Sequence, residues 1–359
     1  MKLFGKEEVN TGRQMFIDLA KVIAIVFMVA DHTWMYGGTE LHDTWGLILD
    51  GVLGGPLAAP VFMTCMGIGV TYSHRSDAKS MMQRGLRLLM AGYILNLIRF
   101  LGSATASLCK DKVINLSDIA WQLTLVDILP FAGMAFLLLA LLRYLKASTI
   151  TTVLVGLVMS VIGSFVRQVN TGCLAVDILL SPIIGVSTET VYSSFPLANW
   201  FIFVALGIAA GKMIRRSVNL DILFAWLTPF SAVIFLGLSI WMIKEEIGLY
   251  SGNEDYFYHM TTFDSLGVCL PAILLMLGFC HFGGKLLQGS SAELVRRTSV
   301  DLNRIYLIHW VIIVWIVYLI LYSILGWQLS SPMRFLISLV ILLISTWLAR
   351  HKPFSDIKL

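Results

Sequence analysis

The chain has 359 residues, of which 57% are hydrophobic and only 13% are charged, and its formal net charge is +4 at pH 7. This composition excludes an ordinary soluble domain. The basic residues lie mainly between apolar runs, where membrane topology alone explains them, so the positive charge does not indicate a nucleic-acid partner. Several apolar runs of about 20 residues predict an all-α, polytopic membrane protein that is embedded in the lipid bilayer.

Hydropathy predicts about ten transmembrane helices in one bundle. The linkers between them are too short to form a separate core, so residues 1–359 are expected to be a single integral-membrane domain. The predicted spans are about 14–36, 52–73, 85–101, 121–143, 149–168, 196–213, 220–243, 262–282, 303–325 and 333–350.

The distribution of basic residues predicts the orientation of the chain. Most of the 26 Lys and Arg residues fall on the inner side if the N-terminus is cytoplasmic. The positive-inside rule therefore favours both termini in the cytoplasm and an even number of spans. We expect an integral protein of a bacterial cytoplasmic membrane. Among the inner residues, Arg84, Arg87 and Lys212 could bind an anionic cytosolic ligand, although topology and lipid headgroups explain each one taken singly.

The first predicted span carries four ionisable side chains, Asp18, Lys21, Asp31 and His32. At 100° per residue, Asp18, Lys21 and His32 share one helix face, and Lys21 and His32 are roughly 16 Å apart along it. Ionisable groups at such depth usually face the bundle interior and mark a site. This face predicts a polar track through most of the membrane, with a titratable imidazole near its outer end.

Three of the seven histidines are candidates for chemistry: His32, His42 in the following outer linker, and His309 about two turns into the ninth span. An imidazole can deprotonate an attacking hydroxyl or amine, or accept an acyl group itself. Asp31 or Asp43 could fix the tautomer of such a base. A lone intramembrane histidine more often bridges helices by a hydrogen bond, and this alternative stays open.

Other site types have weaker support. His32, His42 and Asp43 could contribute to a metal site, but nothing supplies another ligand at standard spacing, so no metal is predicted. No Walker A loop or dinucleotide fingerprint occurs, so nothing indicates nucleotide hydrolysis. The five cysteines form no CxxC pair, and Cys109 and Cys173 could either meet as a disulfide between outer loops or stay free.

The first span resembles the membrane acyltransferase pattern of an Arg followed by an Asp and, fourteen residues later, a His. Here these positions are Arg13, Asp18 and His32. The chain also resembles the catalytic domain of the heparan-α-glucosaminide N-acetyltransferase family, a sibling in the same superfamily. The most specific features are the spacing of fourteen residues between Asp18 and His32 and the FPLANW…LGIAAG block. Further blocks, in chain order, are His42, PVFMTCMGIGVTYS, RGLRLLMAGYILN, VDILPFAGMAFLLLALL, FPLANWFIFVALGIAAGK and IYLIHWVII.

The resemblance implies a ten-span core that moves an acyl group, often acetyl, from cytosolic acyl-CoA to a sugar hydroxyl or amino-sugar acceptor on the outer face. Lys21 and Val22 stand where the pattern has Arg and Gly. Lys keeps the charge of Arg but loses its bidentate fork. The candidate catalytic residues are His32, His42, Asp31 and Asp43, and the candidate acyl-CoA-binding residues are Arg13, Asp18, Lys21, Arg84, Arg87, Lys212 and His309.

Two other functions compete with acyl transfer. In a transporter or flippase for a small polar or glycan-linked solute, the charged face of the first helix would line the permeation path. The lack of internal repeats and of several helices broken by Gly or Pro counts against it. The second competing function is that of a catalytically inactive relative that acts as a membrane scaffold. The acceptor, the acyl chain length and a homodimeric state stay open.

Overall fold

A computed structural model describes residues 3–38, 44–110, 116–252 and 254–356, and in these ranges the chain forms helices joined by loops. Three π-helical segments in these ranges, Leu49–Gly54, Asp264–Cys269 and Ile313–Ile324, are continuous with α-helices. The α-helices are α1 Met15–Tyr36, α2 Thr44–Ile48, α3 Ala59–Tyr72, α4 Ala78–Lys110, α5 Leu116–Thr124, α6 Ile128–Tyr144, α7 Thr149–Phe165, α8 Leu174–Leu180, α9 Leu197–Arg216, α10 Leu220–Glu245, α11 Glu254–Tyr258, α12 Leu270–Gly284, α13 Gly289–Val300, α14 Leu302–Ile312 and α15 Ser331–Leu348.

The predicted all-helical membrane class is confirmed. In the described ranges, seven helices are long and apolar enough to cross a membrane. In addition, α1 has 22 residues but carries charged groups, and α6 and α7 are apolar helices of 17 residues each. Helices thus occupy all ten predicted positions, and ten membrane crossings stay a prediction. In the described ranges, the helices long and apolar enough to cross a membrane are Gly51–Tyr72, Ala78–Cys109, Leu197–Arg216, Leu220–Glu245, Asp264–Gly284, Leu302–Ile324 and Ser331–Leu348.

Two predicted boundaries are wrong. The third span was expected at 85–101, but α4 begins at Ala78 and continues to Lys110, so much of the predicted linker after it is helical. The fourth was expected to begin at 121, but α6 begins at Ile128, and Asp127 precedes it in an extended conformation. The Asp127 carboxylate accepts a hydrogen bond from Ile128 N at 2.7 Å, which is the capping contact that starts a helix at this point.

Helix α1 lies in the middle of the bundle. It packs against α3, α12, α13, α14 and α15. Ala20 and Ala24 on α1 are completely buried, and such small residues let neighbouring helices approach closely. The charged face of α1 therefore points into protein rather than lipid, as the cost of burying charge in hydrocarbon requires.

Helices α3 and α9 approach each other closely at glycines. A Cβ added at Gly67 would clash with the carbonyl oxygen of Val204 and lie 3.0 Å from the Cα of Gly207. Gly69, two residues further along α3, has no heavy atom within 4 Å of its added Cβ. The close contact of α3 with α9 is therefore at Gly67 and not at Gly69.

Both ends of the described chain lie on one face of the bundle, which we name the terminal face. The segment 3–10 runs along the end of α9, where Gly5 N donates to Arg216 O at 2.9 Å. Beyond α15, Arg350 Nη2 donates to Thr298 Oγ1 on α13 at 3.1 Å. Helix α1 begins at the terminal face and ends at the opposite face, so the two faces define the ends of the predicted polar track.

Candidate active site

His32 and His309 are hydrogen-bonded to each other in the bundle interior. Nδ1 of His32 on α1 lies 2.9 Å from Nε2 of His309 on α14. The two rings are nearly parallel, with an interplanar angle of 8°. His309 is completely buried, whereas His32 is partly exposed. Of the two imidazoles, only that of His32 can therefore be reached by a substrate in this arrangement.

The hydrogen bonds of His309 determine which nitrogen of His32 is available. His309 Nδ1 lies 3.2 Å from the carbonyl oxygen of Ile305, and a carbonyl only accepts. In the neutral pair, His309 Nδ1–H thus donates to Ile305, and His309 Nε2 must accept from His32 Nδ1–H. We assign these tautomers from the network. The lone pair of His32 Nε2 is left available as a base or nucleophile.

Aromatic side chains hold the His32 ring in place. Trp310 stacks on it with ring centroids 4.1 Å apart, and Tyr306 meets it edge-on at 6.4 Å. Tyr36, one turn further along α1, packs edge-on against Trp310 at 5.6 Å. Because these rings leave His32 little rotamer freedom, its position is preorganised.

A buried ion pair lies beside this histidine pair. Arg99 Nη1 on α4 is 2.6 Å from Asp127 Oδ2, and each residue is 7% exposed. Tyr306 Oη also donates to Asp127 Oδ2, at 2.8 Å. The guanidinium carbon of Arg99 is 3.8 Å from the Trp310 ring centroid. Arg99, Asp127, Tyr306 and Trp310 were not predicted as site residues, although an Arg and an Asp in apolar spans are a signal for a buried pair.

A cavity of about 250 Å³ lies between α1, α3, α4, α6 and the α13–α14 junction. Near the terminal-face ends of their helices, Lys21 and Arg84 line it. At the deeper end its wall includes Leu129, two residues after Asp127. The cavity therefore extends from the terminal face towards the level of the buried Arg99–Asp127 pair.

Lys21 and Arg84 supply positive charge to this cavity. Lys21 is half-buried, and Arg84 lies over the Phe136 ring at 4.5 Å. In the part of the chain that the structure describes, neither forms an ion pair. Lys21 is partly withdrawn from bulk water without a counter-ion, which favours an anionic ligand, whereas Arg84 is exposed. Both residues were predicted to bind the acyl-CoA donor, and the structure brings them to one cavity.

Other cations near the cavity mouth are already paired. Arg296 and Arg297 on α13 donate to the Glu293 carboxylate at 2.6 and 2.5 Å. These hydrogen bonds lower the pKa of Glu293 to about 2, so the carboxylate is ionised at neutral pH and balances part of their charge. Lys21 and Arg84 are thus better placed than the α13 arginines to attract a new anion.

Helix α14 connects the cavity to the histidine pair. Leu302 and Asn303 line the cavity, and Tyr306 and His309 follow about one and two turns later on the same helix. On α1, Lys21 is roughly 16 Å from His32 along the helix axis. The cavity and the histidine pair therefore follow one another along α1 and α14.

Residues 13–245, more than half of the chain, match the family described as heparan-alpha-glucosaminide N-acetyltransferase, catalytic. The chain belongs to this family. The resemblance predicted from the sequence is confirmed, and it places the protein among membrane acetyltransferases. No curated protein and no solved structure shows significant similarity to the chain. Of the site residues, His32, Lys21, Arg84, Arg99 and Asp127 lie within the matched region.

Two residues predicted to bind the donor, Arg13 and Asp18, pair with each other at the start of α1. Arg13 and Asp18 form a bidentate pair, with Arg13 Nε 2.5 Å from Asp18 Oδ2 and Nη2 3.0 Å from Oδ1. Ser299 Oγ donates to Asp18 Oδ1 at 2.6 Å, which ties α1 to the end of α13. Because Ser299 also lines the cavity, this contact shapes the cavity mouth.

The remaining predicted residues are placed elsewhere. A side chain at Gly54 would meet the Asp31 carboxylate, so Asp31 faces the π-helical segment Leu49–Gly54 and the partner of His32 is His309. Arg87 and Lys212 are exposed on α4 and α9 and do not line the cavity, and neither does His309. His42 and Asp43 lie outside the described residues.

The described residues contain no group of three His, Cys, Asp or Glu side chains arranged to hold a metal ion. Cys109 and Cys173 are both exposed with free thiols. The chemistry available at the site is therefore that of an imidazole base or nucleophile, beside a buried ion pair and beyond a cationic cavity.

Proposed function

We propose that the protein transfers an acyl group, acetyl in the simplest case, from cytosolic acyl-CoA to a sugar hydroxyl or amino-sugar nitrogen on the outer face. The observation that carries this proposal is the hydrogen bond from His32 Nδ1 to His309 Nε2, which leaves His32 Nε2 available for reaction. Membership of a membrane acetyltransferase family supports the reaction class.

The cavity at the terminal face is the proposed donor site. Its volume of about 250 Å³ lies just below the range of about 300–1,000 Å³ that is usual for small-molecule sites. It therefore suits the narrow acyl-pantetheine end of the donor, while the nucleotide stays at the mouth. Lys21 and Arg84 would pair with phosphate groups there. Since acyl-CoA is cytosolic, the terminal face is the cytoplasmic face in this proposal, and ten crossings place both termini there.

His32 can act by either of two balanced routes. As a general base, Nε2 takes the proton of the acceptor O–H or N–H while that atom attacks the thioester carbonyl, and the proton then passes to the departing CoA thiolate. As a nucleophile, Nε2 attacks the carbonyl and the C–S bond breaks, which releases the CoA thiolate. The acceptor oxygen or nitrogen then attacks the acyl group, the bond from Nε2 to the acyl carbon breaks, and the proton of the acceptor passes to the thiolate. In both routes Nε2 gains positive charge, which His309 stabilises by accepting from Nδ1–H.

Proteoliposomes test the proposal together with its direction. Labelled acetyl-CoA is supplied on one side of the membrane and glucosamine on the other, and label on the amino sugar is measured. We expect transfer to acceptor in the compartment opposite the donor, for protein of one orientation only. Movement of glucosamine without acetyl-CoA and without label transfer would instead identify a transporter and overturn the proposal.

A further inference from the structure

The Arg99–Asp127 pair lies close enough to His32 to act on its charge. Arg99 and His32 both stack on Trp310, at 3.8 and 4.1 Å from its ring centroid. The guanidinium carbon and the His32 ring centre are therefore separated by at most the sum of these distances, about 8 Å, a range over which a desolvated cation still interacts. Asp127 Oδ2 lies 2.6 Å from Arg99 Nη1.

Both members of the pair are held in place from several directions. The Asp127 carboxylate accepts from Ile128 N at 2.7 Å, from Tyr306 Oη at 2.8 Å and from Arg99. Arg99 in turn is hydrogen-bonded to Tyr36. Such fixed charges in a site with little water act more strongly on a neighbouring group than they would in solution.

Other groups face His32 from the helices around it. From α14 it meets His309, Tyr306 and Trp310, and one turn along α1 lies Tyr36. On α1 itself the charged residues are Asp31, directed towards Leu49–Gly54, and Lys21 and Asp18, about three and four turns away. Among the described residues, Arg334 on α15 is a further buried cation near this end of α1, and its guanidinium donates to the carbonyls of Trp34 and Leu329.

We propose that Arg99 and Asp127 are positioning residues that set the protonation of His32 with opposite signs. Arg99 disfavours a second positive charge and keeps the imidazole neutral, hence able to accept a proton or an acyl group. Asp127 limits this effect, so that the positive charge formed during transfer is tolerated. The inference rests on the proposed function for its role in catalysis, but the effect on His32 itself does not require turnover.

Two near-isosteric substitutions separate this electrostatic role from a structural one. Arg99→Gln removes the positive charge and keeps a side-chain donor towards Asp127. Asp127→Asn removes the negative charge and keeps an oxygen that can accept from Ile128 N. Arg99→Lys and Asp127→Glu conserve both charges and serve as matched controls. Loss of packing alone would shift the protonation of His32 in the same direction in both neutral variants. Loss of charge would shift it in opposite directions.

The test measures how fast diethyl pyrocarbonate modifies His32 as a function of pH in purified full-length protein. This reagent reacts with the neutral imidazole, and mass spectrometry of the His32 peptide separates it from other histidines. The half-maximal pH of modification should rise by about one unit in Arg99→Gln and fall by about half a unit in Asp127→Asn. Arg99→Lys and Asp127→Glu should stay close to wild type.

Shifts of equal sign in the two neutral variants, or no shift in either, would overturn the inference. If Arg99→Gln does not fold, Asp127→Asn alone decides, because a downward shift supports the inference and an upward or absent shift contradicts it. Label transfer from acetyl-CoA is assayed on the same preparations. Opposite shifts without any transfer by wild type would reject the proposed function, while active protein without such shifts would reject only the role of the pair.

Discussion

His32 Nδ1 lies 2.9 Å from His309 Nε2, although 277 positions separate the two residues in the chain. The contact joins α1 to α14, about two turns along α14 from the residues that line the cavity. A neutral imidazole partner suits this depth, because a buried carboxylate would carry a larger desolvation penalty. His309 also lies beyond the matched region 13–245, so the pair connects that region to the remainder of the bundle.

The first prediction concerns the orienting role of His309. His309→Phe keeps an aromatic ring but removes the acceptor for His32 Nδ1–H, so kcat for acetyl transfer should fall about 100-fold. His309→Gln retains an oxygen that can accept this hydrogen bond, so its kcat should fall less than that of His309→Phe. Steady-state kinetics with varied acetyl-CoA separate kcat from KM. Wild-type kcat in His309→Phe would show that the pair does not take part in the reaction.

Lys21 should matter for donor binding rather than for chemistry. Lys21→Met removes the cavity cation and should raise the KM for acetyl-CoA about tenfold, the scale of one charge-assisted hydrogen bond. Lys212→Met is the matched control, since Lys212 is exposed and does not line the cavity. The same KM for the two variants would argue against a donor phosphate at Lys21.

Close packing of α3 on α9 provides a stability prediction. In Gly67→Ala the added methyl meets the Val204 carbonyl and Gly207, and overpacking of this kind destabilises by about 1–3 kcal/mol. Gly237→Ala on α10 is the control, because an added Cβ has no neighbour within 4 Å there. Thermal unfolding in detergent should show a lower Tm for Gly67→Ala only. Equal melting temperatures of the two variants would mean that α3 and α9 can move apart without loss of stability.

Helical periodicity was sufficient to predict the main axis of the site. It predicted α1 within one residue at its start, the shared face of Lys21 and His32, and an interior position for that face. Lys21 and Arg84 were predicted as donor-binding cations, and they line one cavity. These inferences depend only on local geometry and on the high cost of exposing charge to lipid.

Contacts between distant helices could not be predicted in the same way. His309 was assigned to the donor, because one sequence does not reveal the relative depth and rotation of α1 and α14. Arg99 and Asp127 lie in two different predicted spans, and their pairing depends on α6 beginning at Ile128, beyond the predicted start. Asp31 lies next to His32 in sequence, yet adjacent helical positions point about 100° apart.

The central claim, that His32 carries out acyl transfer, is tested most directly by comparing His32→Ala with His74→Ala. His74 is exposed in the loop between α3 and α4, so its substitution controls for the loss of a histidine. Purified proteins in proteoliposomes receive labelled acetyl-CoA and glucosamine, and labelled product is measured. We predict full transfer by wild type and His74→Ala and at least a 100-fold loss, roughly, in His32→Ala. Transfer by His32→Ala at the wild-type rate would contradict the account.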